Sequence, residues 1–189
     1  NQAIMDFGAG HCTPRRPACV ECPLKTRCVA FQTGRVAQLP RKIKAPAKRA
    51  RFFAYAVFLD AHYVWVRQRK GKDIWQNLYE FPLLELPQAP ADTAVLPELL
   101  LKHFFPKGAP EGIALESISK TCRQTLTHQI IHAVFCTFQF SKKIQHVDFQ
   151  ENILPGFQKT EQFKLKKILA VPRIIDWYWQ EKALTLRLI

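Results

Sequence analysis

Four cysteines lie close together near the start of the chain, in the stretch CTPRRPACVECPLKTRC at residues 12–28. Six residues separate Cys12 from Cys19, two separate Cys19 from Cys22, and five separate Cys22 from Cys28. A C-x-x-C pair offers two thiolates to one metal centre from a single turn, and two further cysteines on short loops complete a four-thiolate site. So tight a grouping argues against four buried free thiols. Zinc and an iron–sulfur cluster both remain open, and the spacing favours the cluster because structural zinc more often uses two short pairs.

The charge balance points to a polyanionic partner. The chain has 28 Lys and Arg against 15 Asp and Glu, which gives a net charge of +13. Such an excess is typical of proteins that bind nucleic acid or an anionic membrane. The sequence has no run of about eighteen apolar residues and no signal-peptide pattern at its start, so we expect no membrane span and no export. In such a chain, six cysteines favour metal ligation or free thiols over disulfides.

Composition divides the chain into three zones, which predict two domains and a linker. Residues 1–31 hold a short apolar segment followed by the cysteine-rich loop. Residues 32–50 carry six basic residues, two prolines and no acid, which predicts a basic interdomain linker. Residues 51–189 have the pattern of a small mixed domain. Because the chain begins at Asn1 and its one methionine is Met5, we expect it to be part of a longer protein.

The third zone predicts an α+β domain in which helices flank a mixed sheet. The predicted strands are RFFAYAVFLD and HYVWVRQR, joined by a turn at Asp60 and Ala61, then LYEFPLLEL, then two runs within LESISKTCRQTLTHQIIHAVFCTFQF. The predicted helices are TAVLPELLLKHFF, with Pro97 near its start, and VPRIIDWYWQEKAL, with Pro172 at its start and Ile174, Ile175 and Tyr178 on one face. Cys122 and Cys136 fall in strand-like sequence and are predicted to be small core residues.

The cysteine spacing, preceded by NQAIMDFGA and continued by PACVECPLKTRC, resembles the 4Fe-4S loop of the helix-hairpin-helix DNA glycosylases. The resemblance is strongest to the adenine glycosylases that act on adenine mispaired with guanine or 8-oxoguanine. It implies a 4Fe-4S cluster whose ligands are Cys12, Cys19, Cys22 and Cys28. In this family the loop presents basic side chains to DNA phosphates, a role that falls by position to Arg15 and Arg16, with Lys25 and Arg27 as further candidates.

The strands that open the third zone, followed by IWQNLYEFPLLEL, resemble the start of a Nudix fold. The family pattern W-x-x-L-x-E-F-P stands here as Trp75, Leu78, Glu80, Phe81 and Pro82. A working Nudix hydrolase needs a following helix with clustered glutamates that hold Mg²⁺ against a pyrophosphate. The sequence that follows has a lone Glu98 instead. We therefore expect a Nudix-like fold that has lost the hydrolase chemistry, as in the C-terminal domain of the adenine glycosylases.

In those glycosylases a Phe/Leu-Ser/Thr-His triplet reads 8-oxoguanine, and this chain has Leu126-Thr127-His128 between two strand-like runs. By the resemblance, Thr127 hydrogen-bonds the oxidised face of 8-oxoguanine, Leu126 wedges near the base step and His128 approaches the backbone. A hydroxyl suits this task because it both donates and accepts a hydrogen bond. The alternative is a strand-edge threonine and an ordinary surface histidine.

The resemblance implies the C-terminal portion of an adenine DNA glycosylase, a base-excision repair enzyme. The family's catalytic carboxylates belong upstream, so we assign no catalytic residue here and expect Asp6 to be structural. The expected partner is duplex DNA with A:8-oxoguanine or A:G mismatches, the expected state a monomer, and the expected location the cytoplasm, or the nucleus or an organelle in a eukaryote. The alternatives are a zinc-binding basic module that binds nucleic acid without catalysis, and a nucleotide hydrolase, which the missing glutamates argue against.

Overall fold

The computed structural model describes residues 2–13, 15–39, 47–60, 62–140, 154 and 156–185, without the side chains of residues 166 and 183–185. It divides into two compact units, Asn1–Pro46 and Ala47–Ile189. The division into zones 1–31, 32–50 and 51–189 stays a prediction, and residues 40–46 of the predicted linker lie outside the described residues. No helix among the described residues is long and apolar enough to cross a membrane.

The first unit contains helix α1 (Gln2–His11), a 3-10 turn (Lys25–Arg27) and the short helix α2 (Val29–Gln32). It buries little apolar surface: within residues 2–13 and 15–39, Cys22 is the one buried residue. Helix α1 exposes large apolar side chains, with Ile4 76% and Met5 66% accessible. Hydrophobic burial within this unit therefore supplies little of what a stable fold needs.

The second unit is an eight-stranded mixed sheet with helices, which confirms the predicted α+β class. Its strands are β1 (Arg49–Leu59), β2 (Tyr63–Gln68), β3 (Tyr79–Glu80), β4 (Leu83–Leu86), β5 (Ile113–Ile118), β6 (Cys122–Thr125), β7 (Gln129–Phe140) and β8 (Gln158–Glu161). Its helices are a 3-10 turn (Thr93–Val95) that leads into α3 (Leu96–Phe104), then α4 (Gln162–Lys167) and α5 (Arg173–Thr185).

The sheet is built around one parallel pair, β1 and β7, which runs from Arg49 opposite Gln129 to Leu59 opposite Gln139. All other described pairs are antiparallel: β2 and β4 pair with β1, β5 and β6 with β7, and β3 and β8 with β2. A parallel pair requires both faces to be covered, and β1 is buried at every position from Phe53 to Leu59.

One face of the sheet packs against α5. Tyr55 on β1 stacks on Phe135 of β7 with ring centroids 4.9 Å apart, and Phe135 stacks on Tyr178 of α5 at 4.1 Å. Ile174 and Ile175 of α5 are buried in the same cluster. The predicted apolar face of this helix, with Pro172 just before its first residue, is therefore confirmed.

The opposite face packs against α3. Phe58 on β1 and Phe138 on β7 are fully buried there with Leu96 and Leu100 of α3. The predicted helix TAVLPELLLKHFF begins as the 3-10 turn at Thr93 and continues as α3 from Leu96. The Asp92 side chain accepts a hydrogen bond from the Ala94 N–H at 2.8 Å and caps this turn.

Some predicted elements differ from the structure. LYEFPLLEL forms two short strands rather than one, because Pro82 has no N–H to donate to a ladder. β3 pairs with β2, whereas β4 pairs with β1. LESISKTCRQTLTHQIIHAVFCTFQF forms three strands rather than two, and β8 and α4 were not predicted. Cys122 and Cys136 are buried in strands, as predicted, and burial raises their pKa values to about 11 and about 12.

The core contains a matched pair of tyrosines that gives a stability test. The Tyr178 hydroxyl is 2.5 Å from the Thr137 hydroxyl, whereas the buried Tyr55 hydroxyl has no hydrogen-bond partner in the described part of the chain. Tyr178→Phe leaves the Thr137 hydroxyl unpaired and should lower the free energy of unfolding by about 1–3 kcal/mol. Tyr55→Phe removes an unpaired hydroxyl and should leave stability unchanged or raise it. Urea unfolding of both variants measures this, and the reverse order would contradict it.

Candidate nucleic-acid interface

The predicted reading triplet lies at the tip of the hairpin formed by β6 and β7. The Leu126 N–H donates to the Gln129 carbonyl at 2.8 Å and closes the turn. The Leu126 side chain is half-buried and packs on the core beneath α5, whereas Thr127 and His128 are exposed. The tip therefore presents one hydroxyl and one imidazole to solvent on a short, closed turn.

Hydrogen bonds from Lys48 and from Arg49 at the start of β1 to main-chain carbonyls hold the tip in place. The Lys48 ammonium donates to the Leu126 carbonyl at 2.7 Å, and the Arg49 N–H donates to the His128 carbonyl at 3.1 Å. On the strand below, the Gln124 side-chain carbonyl accepts from the Ile174 N–H at 3.1 Å. Because both ends of the turn are tied down, ordering it on binding costs little conformational entropy.

A nearly buried arginine supports the base of the same hairpin. Arg51 is 8% exposed, and its guanidinium donates to the Gln129 side chain at 3.2 Å, one residue after the triplet. The same guanidinium forms bidentate pairs with Glu85, at 2.7 and 2.6 Å, and with Asp73, at 2.9 and 2.8 Å. These hydrogen bonds from Arg51 hold the pKa values of both carboxyl groups below their usual range.

A second ion-pair group continues from Asp73 through the loop that holds the predicted Nudix residues. Arg69 pairs with Asp73 at 3.2 Å and with the buried Glu80, to which Arg67 also donates at 3.1 Å. Glu80 is the glutamate of the pattern W-x-x-L-x-E-F-P, and here two arginines neutralise it. Its carboxylate is thus committed to structure.

Successive turns draw the four cysteines of the first unit together. The Ala18 N–H donates to the His11 carbonyl at 2.9 Å, which closes the segment between Cys12 and Cys19. Cys22 donates to Cys19 at 3.3 Å across the C-x-x-C turn. Two further turns, from Lys25 to Cys22 at 3.1 Å and from Cys28 to Lys25 at 3.3 Å, bring the last cysteine back.

The thiols are near neighbours and unbonded to one another. All four are free, with Cys22 buried, Cys19 and Cys28 half-buried and Cys12 exposed. Desolvation raises the pKa of the Cys19 thiol, and the other three cysteines, Cys12 first, raise it further by Coulomb repulsion. The described residues contain no group of three or more His, Cys, Asp or Glu placed to hold a metal ion. The four thiols are the donor type of a four-thiolate centre, but the described loop does not have its closed ligand geometry, and the ligand set stays a prediction.

The basic residues of this loop face solvent. Arg15, Arg16, Lys25 and Arg27 are all exposed. The Lys25 ammonium donates to the Val20 carbonyl at 3.1 Å, and the Thr13 hydroxyl donates to the Arg16 carbonyl at 2.6 Å, which fixes the backbone beside Arg16. None of the four forms an ion pair with another described residue, so their charges are available to an anion.

Comparisons with known proteins connect the chain to one class of enzyme. No family model matches it. It is 35% identical over 82 residues to the adenine DNA glycosylase of Buchnera aphidicola from Schizaphis graminum, covering 43% of this chain and 24% of that protein. It is 30% identical over 109 residues to the adenine DNA glycosylase of Arabidopsis thaliana, covering 50% of this chain and 17% of that protein. The chain spans about a quarter or less of the length of the curated relatives it matches.

Solved structures similar to the chain include the C-terminal domain of mouse MUTYH, solved in complex with human PCNA. The TM-score is 0.47 at 12% identity, covering 72% of this chain and 91% of that domain. The Caenorhabditis elegans Ap4A hydrolase has a TM-score of 0.49 at 10% identity, covering 74% of this chain and 99% of that protein.

The predicted resemblance to adenine DNA glycosylases is confirmed by curated relatives that align with up to half of the chain. The roles of the cysteines, the basic loop residues and the reading triplet stay predictions. Sequence reasoning missed Arg51, Gln124 and Gln129, which position the hairpin. Arg51 had a signal, since it opens the otherwise apolar run RFFAYAVF, where a charge requires a partner.

The Arg51 cluster makes a testable prediction about pH. A carboxyl group whose pKa is lowered by folding adds stability above its unfolded pKa, and that stability is lost as the pH falls through the folded value. Native protein should therefore lose stability progressively as the pH falls below the usual carboxyl range of about 4 and through the lowered pKa values of Asp73 and Glu85. Arg51→Met should be less stable at pH 7 and should lose less on acidification.

The measurement is the urea midpoint at pH 7 and pH 3. Lys102→Met is the matched control, because Lys102 is exposed on α3 and forms no ion pair with another described residue. It should follow the native pH dependence. If the urea midpoint falls equally between pH 7 and pH 3 in Arg51→Met and in native protein, the cluster does not contribute to acid sensitivity.

Proposed function

We propose that this chain is the C-terminal portion of an adenine DNA glycosylase and that it binds duplex DNA and reads the 8-oxoguanine opposite the target adenine. The observation that carries this proposal is the hairpin tip. It places an exposed Thr127 hydroxyl on a turn tied to β1, in a chain whose curated relatives are adenine DNA glycosylases. The basic surface expected from a net charge of +13 supports a DNA partner.

Thr127 is the proposed reading residue. Oxidation of guanine gives it a protonated N7 and a carbonyl at C8, so the lesion offers a donor and an acceptor where guanine offers only an acceptor at N7. A threonine hydroxyl donates to one and accepts from the other. His128, also exposed, is proposed to contact the backbone beside the lesion. Leu126 is proposed to wedge near the base step, and its half-buried side chain packs against the core.

The cysteine loop is proposed to hold a 4Fe-4S cluster on Cys12, Cys19, Cys22 and Cys28. Bound to these thiolates, the cluster would cross-link four points of a loop that buries little apolar surface. Arg15 and Arg16 are the proposed phosphate contacts, with Lys25 and Arg27 in support. A fixed loop loses less entropy than a mobile one when it binds a phosphate, which favours this pairing of a cluster with arginines.

The proposed role of the chain is binding and recognition rather than bond cleavage. Glycosylases of this class remove a flipped base by cleaving its N-glycosidic bond, and we assign no catalytic residue to this chain. Asp6 lies on the exposed helix α1, where its carboxylate accepts a hydrogen bond from the Gln2 side chain at 2.9 Å. It is proposed to be structural. The chain is proposed to act as a monomer bound to DNA.

The reading role of Thr127 gives the principal test. Thr127→Ala removes one hydrogen bond to the lesion and should lower the ratio of affinities for the A:8-oxoguanine and A:G duplexes by roughly 5- to 10-fold. The affinity for the A:G duplex should be nearly unchanged. Dissociation constants for both duplexes measure this at one fixed salt concentration. Thr121→Ala removes an exposed hydroxyl just before β6 and should keep the preference. Equal losses on both duplexes would refute the assigned role.

The loop makes a separate prediction about metal content. Chain purified without oxygen should contain about four irons and four acid-labile sulfides per molecule. Cys22→Ser should lose both, whereas Cys122→Ala, which removes a buried thiol of the sheet, should keep them. One zinc and no sulfide would contradict the cluster and favour a zinc-stabilised nucleic-acid-binding module instead.

A further inference from the structure

A cleft of about 360 Å³ opens between β6 and the start of α5, beside the hairpin that carries Thr127. Its lining residues are Cys122, Arg123, Gln124, Thr125, Arg173, Ile174 and Trp177. Thr125 is the last residue of β6 and directly precedes the triplet, so the cleft begins at the base of the hairpin. β6 is about 13 Å long, a length that matches a few phosphates along one DNA strand, which are spaced by about 3.4 Å along the helix axis.

The strand side of the cleft is a sheet edge. In an antiparallel ladder, successive residues turn their main-chain groups alternately toward the partner strand and away from it. Since Leu126 bonds Gln129, the main-chain groups of Gln124 face β7, and those of Arg123 and Thr125 face away from it. The N–H groups of these two cleft-lining residues are thus left outside the β6–β7 ladder.

The helix side of the cleft supplies a cation and an exposed ring. Arg173 and Trp177 are four residues apart on α5 and so lie on the same face of the helix. Trp177 is 47% exposed, although its neighbours Tyr178 and Trp179 are buried. Within the described residues Arg173 forms no ion pair and the Trp177 indole stacks on no other ring. The nearby carboxylate of Asp176 accepts a hydrogen bond from the Gln180 side chain at 2.8 Å.

We infer that this cleft binds the sugar–phosphate backbone of the same DNA strand whose base the hairpin reads. Arg173 pairs with a phosphate, N–H groups of the β6 edge donate to its oxygens, and the Trp177 ring packs against the adjoining deoxyribose. Guanidinium and main-chain N–H groups are the ordinary phosphate contacts of DNA-binding proteins. This inference rests on the proposed function and adds to it a second contact that sets the register of the strand under Thr127.

The experiment measures binding of the whole 189-residue chain to A:8-oxoguanine and A:G duplexes over a range of salt concentrations. Arg173→Gln should weaken binding to both duplexes by the same factor, about 3- to 10-fold. It should also reduce the salt slope, which is the slope of log binding constant against log salt concentration, by about the amount that one phosphate contact contributes. Trp177→Ala should also weaken both equally, and Trp177→Phe should restore most of the loss. Arg173→Lys should keep the slope. Lys102→Gln removes the same charge from α3, on the opposite face of the sheet, and is the control.

Three outcomes separate the two ideas. Equal loss on both duplexes with an unchanged preference for 8-oxoguanine supports the cleft contact. If the unmutated chain prefers 8-oxoguanine but Arg173→Gln leaves the salt slope unchanged, the cleft contact alone is overturned. The cleft would then bind a protein partner instead of DNA. An unmutated chain without any preference overturns the proposed function and this inference with it. Melting temperatures close to that of the unmutated chain would show that the variants remain folded.

Discussion

The parallel pairing of β1 with β7 is the constraint on which the second unit depends. Eleven residues of β1 stand in register with β7, from Arg49 opposite Gln129 to Leu59 opposite Gln139. Because strands with this pairing must be covered on both sides, the chain needs α3 on one face and α5 on the other. The first pair of this register lies directly beside the hairpin tip. The interaction that builds the core therefore also positions Thr127 and His128.

The polar network around Arg51 limits how that register can vary. A guanidinium that is 8% exposed is costly unless carboxylates neutralise it, and Glu85 of β4 and Asp73 of the preceding loop do so. A slip of β1 by one residue would move Arg51 to the other face and leave these carboxylates without their partner. The same guanidinium binds Gln129, so the network holds β1, β4 and the start of β7 in one arrangement.

The parts of the fold that the sequence predicts are those with strong local signals. Apolar runs define β1 and β2, and proline at a helix start locates α3 and α5. β8 is four residues long, too short for periodicity to reveal, and it forms only because β2 offers it a partner edge. The division of the run before the triplet into β5 and β6 was missed for the same reason, since β6 is also only four residues long. The triplet is visible as sequence, whereas its anchoring by Lys48 and Gln124 depends on residues distant along the chain. No local pattern carries that information.

The two units would fix the conformation of their binding surfaces by different physical means. The second unit buries large aromatic side chains on both faces of its sheet, so its hairpin is fixed before any ligand binds. In the described part of the first unit only Cys22 is buried, so the free energy of metal binding would have to act as folding free energy there. This difference matches what each surface would contribute to DNA binding. Charges of the loop would supply affinity that falls with salt, whereas a neutral hydroxyl on a rigid turn would supply discrimination between bases that salt does not screen.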